Sequence, residues 1–404
     1  MMEIVTEPTL IETLLRRVAL QTKGGVEAGV TDKLAREALL NSLRQLTIAL
    51  ESPEDVVNRV VFFPSTYMCA RVAIDLKLFD IIAGSKGAIA SAELATKTRV
   101  EEQLLVRILR GITFAGLVTE VGEQLYEANA TTHHIKNPSV QAGIIHLYDQ
   151  GLKSVWAMPD YFKSNGFKLP SNAGSGPFQF AFDTPLETYS YWATKPEVAD
   201  NFNTFMAGKL NATSTGQSWE EAYPVKENIV DGFDASISNA LFVDIAGGRG
   251  HEVGQLKARF PDAPGRFILE DLAPVIDDIK ELDSSIERIK YDFFGQQPIK
   301  GARTYFMGNT MHNWPDEDCA KILKNVVQAM VKGYSRLLVS DDIVPETNCP
   351  LKTFGRDIAM LSLHSGSERS EKQWTALLEP AGLKVVKFWY FAKGEGLIEA
   401  VLRD

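Results

Sequence analysis

The stretch from Leu241 to Asp271, LFVDIAGGRGHEVGQLKARFPDAPGRFILED, constrains the fold more than any other part of the chain. Apolar Leu241-Phe242-Val243 leads into Asp244 and the turn Ala246-Gly247-Gly248-Arg249-Gly250. Val253, Leu256 and Phe260 then recur at helical spacing, and a second apolar run, Phe267-Ile268-Leu269, closes on Glu270-Asp271. A buried parallel strand, a glycine turn, a helix and a second strand ending in an acid make half of a nucleotide-binding βαβ unit. Glycine lets the backbone approach a ligand where a Cβ would collide. A carboxylate at the end of the second strand can accept both hydroxyls of a ribose.

The glycines fall as AGGxG, without the third glycine of the dinucleotide fingerprint, and no GxxxxGK[ST] occurs in the chain. Such a turn suits a nucleoside ligand without phosphates, and S-adenosylmethionine (SAM) is one. A purely structural turn in an α/β sheet is the competing reading, because fold alone does not fix function. Beyond Asp271 the alternation continues. The pattern predicts a helix over 273–281, a strand running into 290–294, a strand over 304–308, a helix within MHNWPDEDCAKILKNVVQAM and a strand over 335–339 reaching Asp341. A helix at 374–378 and strands over 385–391 and 396–403 would supply an antiparallel edge. The fold class is therefore an α/β doubly wound, Rossmann-like sheet, with Asp244, Asp271, Asp292, His312 and Asp341 at or just beyond the carboxyl ends of its strands, where ligands bind.

At 404 residues the chain should hold two domains. A net charge of −10 and the absence of any Lys/Arg-rich block oppose a nucleic-acid partner. Cys69, Cys319 and Cys349 are widely spaced and odd in number, which fits neither a metal site nor a disulfide framework and suits a reducing compartment. The first residues lack a signal-peptide pattern and no apolar run approaches a membrane span, so a cytoplasmic protein without a membrane partner is expected.

Residues 8–50 read as an amphipathic helical arm. A helix from Met68 to Ile82, a second one capped by Ser91, a third over 103–114 and two short strands around Gly122 make a winged helix. Its third helix carries only Arg107 and Arg110 beside a broad apolar face, so it reads as an interaction module rather than a DNA reader. The expected division is an arm at 1–60, a mostly α winged-helix-like dimerisation domain at 61–135, and a catalytic domain at 136–404 whose helical segment 136–235 forms the substrate pocket. His133 and His134 read as a surface or pocket-edge loop, with His133 a candidate substrate contact. The helix bearing Phe202, Phe205 and Met206 is apolar along one face. That is ordinary core patterning, and also a natural wall for a flat apolar substrate.

His312, in NTMHNWPDED, stands between a strand and a helix on the edge expected to hold the nucleoside. A neutral imidazole can remove a phenolic proton while the developing phenolate attacks a sulfonium methyl group. That reaction needs in-line placement of oxygen, carbon and sulfur, and requires no metal or covalent intermediate. A carboxylate beside the imidazole, Asp341 or Glu368, would hold its tautomer and stabilise the imidazolium.

With these residues assembled, the chain resembles the plant and fungal small-molecule O-methyltransferases of the caffeate type, most closely their fungal branch. The resemblance runs through MCARVAIDLKLFDII, IIHLYDQGLKSVWAMPDYF, FNTFMAGK, LFVDIAGGRGH, ILEDLAPVI, YDFF, MHNWPDEDCAKILKN and GSERSEKQW in that order. It implies a homodimer whose winged-helix domain is swapped around its partner, and a SAM-binding C-terminal domain. Gly247, Gly248, Asp271, Asp292 and Phe293 would contact SAM, with Gly250 and Glu270 beside them. His312 would be the base, supported by Asp341 and Glu368. Phe202 and Met206 would wall the substrate pocket, and Asn313 would join His133 as a substrate contact. Four positions depart from the family pattern: Ala246 replaces a glycine, Gly308 a cation that helps hold SAM, Asn313 an aspartate, and Asp341 a glutamate. Some relatives resembling this branch keep SAM yet catalyse dehydrations or pericyclic reactions, which defines the alternative reading. A non-catalytic regulator or DNA-binding protein is the third class, opposed by the acidic charge.

Overall fold

A computed structural model of the chain describes residues 8–23, 33–212, 218–391 and 395–403. It forms two compact units, Met1–His134 and Ile135–Asp404.

In the first unit the helices Pro8–Gln21 and Lys33–Leu50 pack on each other. The following helix, Pro53–Asp75, opens on a capping box in which Ser52 accepts from the Asp55 amide and Asp55 accepts from the Ser52 amide. It stops at Leu76. Lys77 takes a left-handed conformation, with φ 53°, and Leu78–Ala83 starts a new helix. The run expected as one helix from Met68 to Ile82 is thus two. Helix Glu102–Phe114 lies close against the long helix at Gly111, where an added Cβ would stand 2.4 Å from the Cys69 sulfur. Three short strands, β1 (Ile89–Ala90), β2 (Thr119–Gly122) and β3 (Leu125–Glu127), pair antiparallel in the order β1-β3-β2.

Two expectations are corrected in this unit. Ser91 is the first residue of helix Ser91–Thr98 rather than its cap. Ala90 is held extended in β1, and the Ser91 hydroxyl bonds instead to Glu102 at 2.6 Å and Gln124 at 2.9 Å. His133 and His134 lie in a short helix, Ala130–Ile135, not a loop, and both are exposed. Thr132 ties that helix to the wing through a 2.6 Å bond to the Leu117 carbonyl.

The second unit begins with helices and two π-turns. Its sheet then contains β4 (Ala240–Ile245), β5 (Arg266–Asp271), β6 (Glu287–Lys290), β7 (Thr304–Gly308), β8 (Arg336–Asp342), β9 (Leu383–Tyr390) and β10 (Glu395–Leu402). Their order is β6-β5-β4-β7-β8-β10-β9, with β4 to β8 parallel and the last two antiparallel. The chain winds outward from β4 to β6, then returns to β7 on the other side of β4, so the switch point lies between β4 and β7. In such sheets ligands sit beyond the carboxyl ends at that point. β4 is buried at every position, which explains its near-continuous apolar run. Apolar clusters on both faces, one around Trp374, Tyr305 and Met311 and one around Trp219, Phe242 and Phe306, fix the sheet between helices.

Candidate active site

The β4–helix turn has Ala246, Gly248 and Gly250 in left-handed conformations, at φ 56°, 61° and 80°. Its amides are used internally. Gly247 donates to the Glu270 carbonyl at 3.3 Å, Gly248 to Asp271 Oδ2 at 2.8 Å, and Gly250 to the Gly247 carbonyl at 3.0 Å. A Cβ on Gly247 would lie 2.4 Å from Asp244 Cγ. Asp244 caps the helix His251–Arg259 by accepting from the Val253 amide, and burial pushes its carboxyl well above the ordinary range. Arg249, the cation of this turn, pairs with Asp278 at 2.6 Å. With the three glycine amides engaged and its cation paired, the turn is poorly disposed to hold a phosphate. Bare glycines and strand-end carboxylates suit a phosphate-free nucleoside such as SAM.

Asp271 ends β5, with Oδ2 on the Gly248 amide and Oδ1 on the Leu272 amide at 2.7 Å. Burial raises its pKa, while both amides oppose that rise. Each carboxylate oxygen can accept more than one hydrogen bond, so capacity for ribose hydroxyls remains. Glu270 is placed differently. It is fully buried, accepts from Gln297 at 2.8 Å and is pushed up to about 7 by burial. Asp292 follows β6, is exposed, and accepts from the Phe294 amide at 3.0 Å. Phe293 packs edge-on to Trp314 at 5.7 Å.

His312 sits in a single 3-10 turn, Met311–Asn313, after β7. Its Nδ1 lies 2.9 Å from Glu368 Oε1 and 3.4 Å from Asp341 Oδ1, and all three side chains are buried. Among the described residues Nε2 has no hydrogen-bond partner. Burial pushes the Asp341 carboxyl up, and a charge on His312 pulls it back down. Three features that hold this triad escape sequence reasoning. Arg356 pairs with Asp342 at 2.8 Å and lies 3.5 Å from Glu368. Arg369, buried against Trp374, bonds Asp316 at 2.7 Å and the carbonyls of Met311 and Trp314. Gly366 touches the turn so closely that an added Cβ would be 2.0 Å from the His312 carbonyl oxygen. The sequence offers a signal only in the charged pair Arg356-Asp357 just before the apolar run Ile358–Leu361 and in the GSERS run.

An aromatic wall belongs to the same unit. Phe202 lies within 5.8 Å of the rings of Trp192, His146 and Tyr189, and Tyr189 stacks on His364 at 4.8 Å. Met206 follows one turn later on the helix Pro196–Ala212, and both side chains are half-buried. Asn313 is half-buried and donates to the Asn309 carbonyl at 3.2 Å. His133 belongs to the other unit.

Residues 172–384 match the O-methyltransferase domain, and residues 62–133 match the O-methyltransferase dimerisation domain. The O-methyltransferase penC of Penicillium thymicola is 35% identical over 98% of this chain and 97% of its own. The chain belongs to the O-methyltransferase family. Its members are enzymes, and their methyl donor is SAM. Among solved structures, LepI in complex with SAM is 28% identical, with a TM-score of 0.83 over 97% of this chain and 99% of that one. A chain described as a pericyclic reaction enzyme is also 28% identical, with a TM-score of 0.82 over 98% and 99%. The fold class expected from the pattern is the one found, a Rossmann-like family domain preceded by a mostly helical one.

Proposed function

We propose that this O-methyltransferase acts on a phenolic hydroxyl of a flat aromatic or polyketide-like secondary metabolite, with His312 as general base. The observation that carries the reading is the 2.9 Å contact between His312 Nδ1 and Glu368, with Nε2 left unpartnered. A carboxylate accepts only, so it keeps the ring proton on Nδ1 and leaves the Nε2 lone pair to take the phenolic proton. The imidazolium that forms is stabilised by Glu368 and by Asp341, in a dry setting where their charges act strongly. SAM supplies the electrophilic methyl group when bound. Gly247, Gly248 and Gly250 would let the backbone approach it, Asp271 would accept from its ribose, and Asp292 and Phe293 would complete its site. Glu270, buried on Gln297, would support the turn from behind rather than touch the cofactor. Phe202, Met206 and Asn313 would bound the acceptor.

We infer a homodimer built through the N-terminal unit. The match to a dimerisation domain supports it, and so does the exposure of Val57, Val60, Val61, Phe62 and Phe63, each more than half accessible on one helix. A net charge of −10 favours a small-molecule partner over nucleic acid. Three free cysteines fit a cytoplasmic setting, and among the described residues no helix is long and apolar enough to cross a membrane.

A second reading has one specific support: Gly308 lacks the cation expected to help hold SAM, in a chain whose fold also resembles a pericyclic reaction enzyme. In that reading SAM stays intact while the pocket directs a dehydration or cycloaddition. Mass spectrometry of the cofactor after full conversion of a phenolic acceptor separates the two. Methyl transfer gives S-adenosylhomocysteine in step with product, and His312→Ala lowers turnover by roughly 10²–10⁴-fold with SAM affinity retained. Intact SAM beside a converted, unmethylated product would sink the methyl-transfer reading.

A further inference from the structure

The aromatic wall encloses an imidazole that the proposed mechanism does not use. His146 ends the helix Pro138–His146, where the chain passes into the π-turn Leu147–Leu152. The residue is 3% exposed, and among the described residues neither ring nitrogen has a hydrogen-bond partner. Trp192 lies edge-on at 4.4 Å and Phe202 at 5.2 Å. Gln150, one helical turn on, has its oxygen engaged by the Trp192 indole at 3.2 Å. Burial pushes the imidazole down to about 4, so near neutral pH it carries one N–H donor and one lone-pair acceptor.

A buried polar group without a partner is costly, and native proteins almost always supply one. An aliphatic side chain would fill this position without that cost. The helix is also fixed in place: one turn earlier, Gly143 lets the Phe205 ring approach to 2.6 Å of where its Cβ would stand. The position is tied to the acid–base centre through His364. That ring packs on Tyr189 and Trp192, and a charge on either His312 or His146 disfavours one on His364. Three imidazoles therefore share one electrostatic neighbourhood; among the described residues His312 alone lies within ion-pair distance of a carboxylate, while Asp149 acts on His146 only through its charge.

We propose that His146 recognises a second oxygen substituent of the aromatic acceptor, a hydroxyl or carbonyl remote from the oxygen that His312 deprotonates. The partner missing from its nitrogens arrives with the ligand, and the flanking rings of Trp192 and Phe202 hold the flat skeleton that carries it. This rests on the reading of the helical segment as the acceptor wall, and makes His146 a specificity-determining residue within it.

The test compares 2-naphthol with 2,7-dihydroxynaphthalene, which differ by one hydroxyl, on enzyme loaded with S-adenosylhomocysteine. Binding is read by calorimetry, and methyl transfer is followed separately with SAM. Wild-type enzyme should bind the diol more tightly. His146→Phe should weaken diol binding about 10–100-fold and leave 2-naphthol within about threefold, as expected when a site loses its hydrogen bond to a substrate oxygen. His146→Gln keeps a donor and an acceptor and should retain the preference. Unchanged affinity for S-adenosylhomocysteine checks that each variant is folded. A wild type that does not distinguish the two compounds, or a Phe variant that distinguishes them equally well, overturns the assignment. Discrimination in binding without any methyl transfer removes the methyl-transfer reading instead and leaves that of His146 standing.

Discussion

Asp341 places an oxygen 3.4 Å from His312 Nδ1 while, among the described residues, neither of its carboxylate oxygens is hydrogen-bonded. Glu368 holds the closer position, at 2.9 Å. The two carboxylates should therefore separate by role: Glu368 fixes the tautomer, and Asp341 contributes charge. Glu368→Gln can present an amide N–H to Nδ1 and favour the wrong tautomer, so kcat should fall by about 10²–10⁴-fold with SAM affinity retained. Asp341→Asn should cost less and should alter the acidic limb of the kcat–pH profile. Burial holds Asp341 protonated to higher pH than an ordinary aspartate, so if its charge assists the reaction the wild-type rate should rise with pH as that carboxylate ionises. Equal losses and identical profiles in the two variants would contradict the division.

Asp271 is expected to hold the ribose. Asp271→Ala should weaken SAM binding by about 1.5–3 kcal/mol, the range for a hydrogen bond to a charged group. Asp271→Asn keeps one acceptor and should lose less. Calorimetry on the folded variants decides it, and unchanged affinity would show that the ribose lies elsewhere.

Glu270 gives a stability test. Its folded pKa is raised from 4.5 to about 7 by burial, so the native state holds a proton that the unfolded chain has lost. Stability is full below the unfolded value and declines as pH rises towards the folded one. Glu270→Gln keeps an acceptor for Gln297 and lacks the titration. Its stability relative to wild type should rise by roughly 1–3 kcal/mol between pH 5 and pH 8, from about 1.4 kcal/mol per pKa unit. Denaturant unfolding at the two pH values measures this, and a pH-independent difference would rule it out.

Gly366→Ala forces a carbon towards the His312 carbonyl, a contact that backbone cannot relieve cheaply. A drop in kcat of at least about tenfold, or a loss of about 1–3 kcal/mol in stability, is expected. Gly355→Ala is the control. Its Cβ meets nothing within 4 Å inside the helix Leu351–His364, and it should stabilise by about 0.5–1 kcal/mol.

The centre of the sheet was legible because its inner strands are buried on both faces and read as apolar runs: Leu241–Val243, Phe267–Leu269 and Thr304–Gly308 each lie inside an observed strand. The glycine turn was legible because left-handed backbone selects glycine, and Ala246, at φ 56°, is the residue least suited to its place. Local signals failed where tertiary pairing overrides them. Ser91 carries the features of a cap, yet Glu102 and Gln124 claim its hydroxyl. His133 sits in polar sequence but is helical, anchored by its neighbour Thr132. Gly366 and Arg369 act across more than 50 positions on the turn that bears His312, Arg356 reaches Glu368 from the preceding helix, and no local periodicity encodes such contacts. His146 reads as one polar residue in an apolar run, and only burial reveals that its nitrogens lack partners.

Arg369 fastens the His312 turn to the segment that follows the helix Leu351–His364, through Asp316 and the carbonyls of Met311 and Trp314. The supports of the base thus come from β8, the helix Leu351–His364 and the loop after it, whereas the aromatic rings come from helices more than 100 positions earlier. Most of the wall is thus remote in sequence from the supports of His312, and the two meet at His364, which packs on Tyr189 and Trp192. If that segment walls the acceptor as proposed, a lineage of such chains could exchange one acceptor for another by drift there, with the His312 centre as the inherited part.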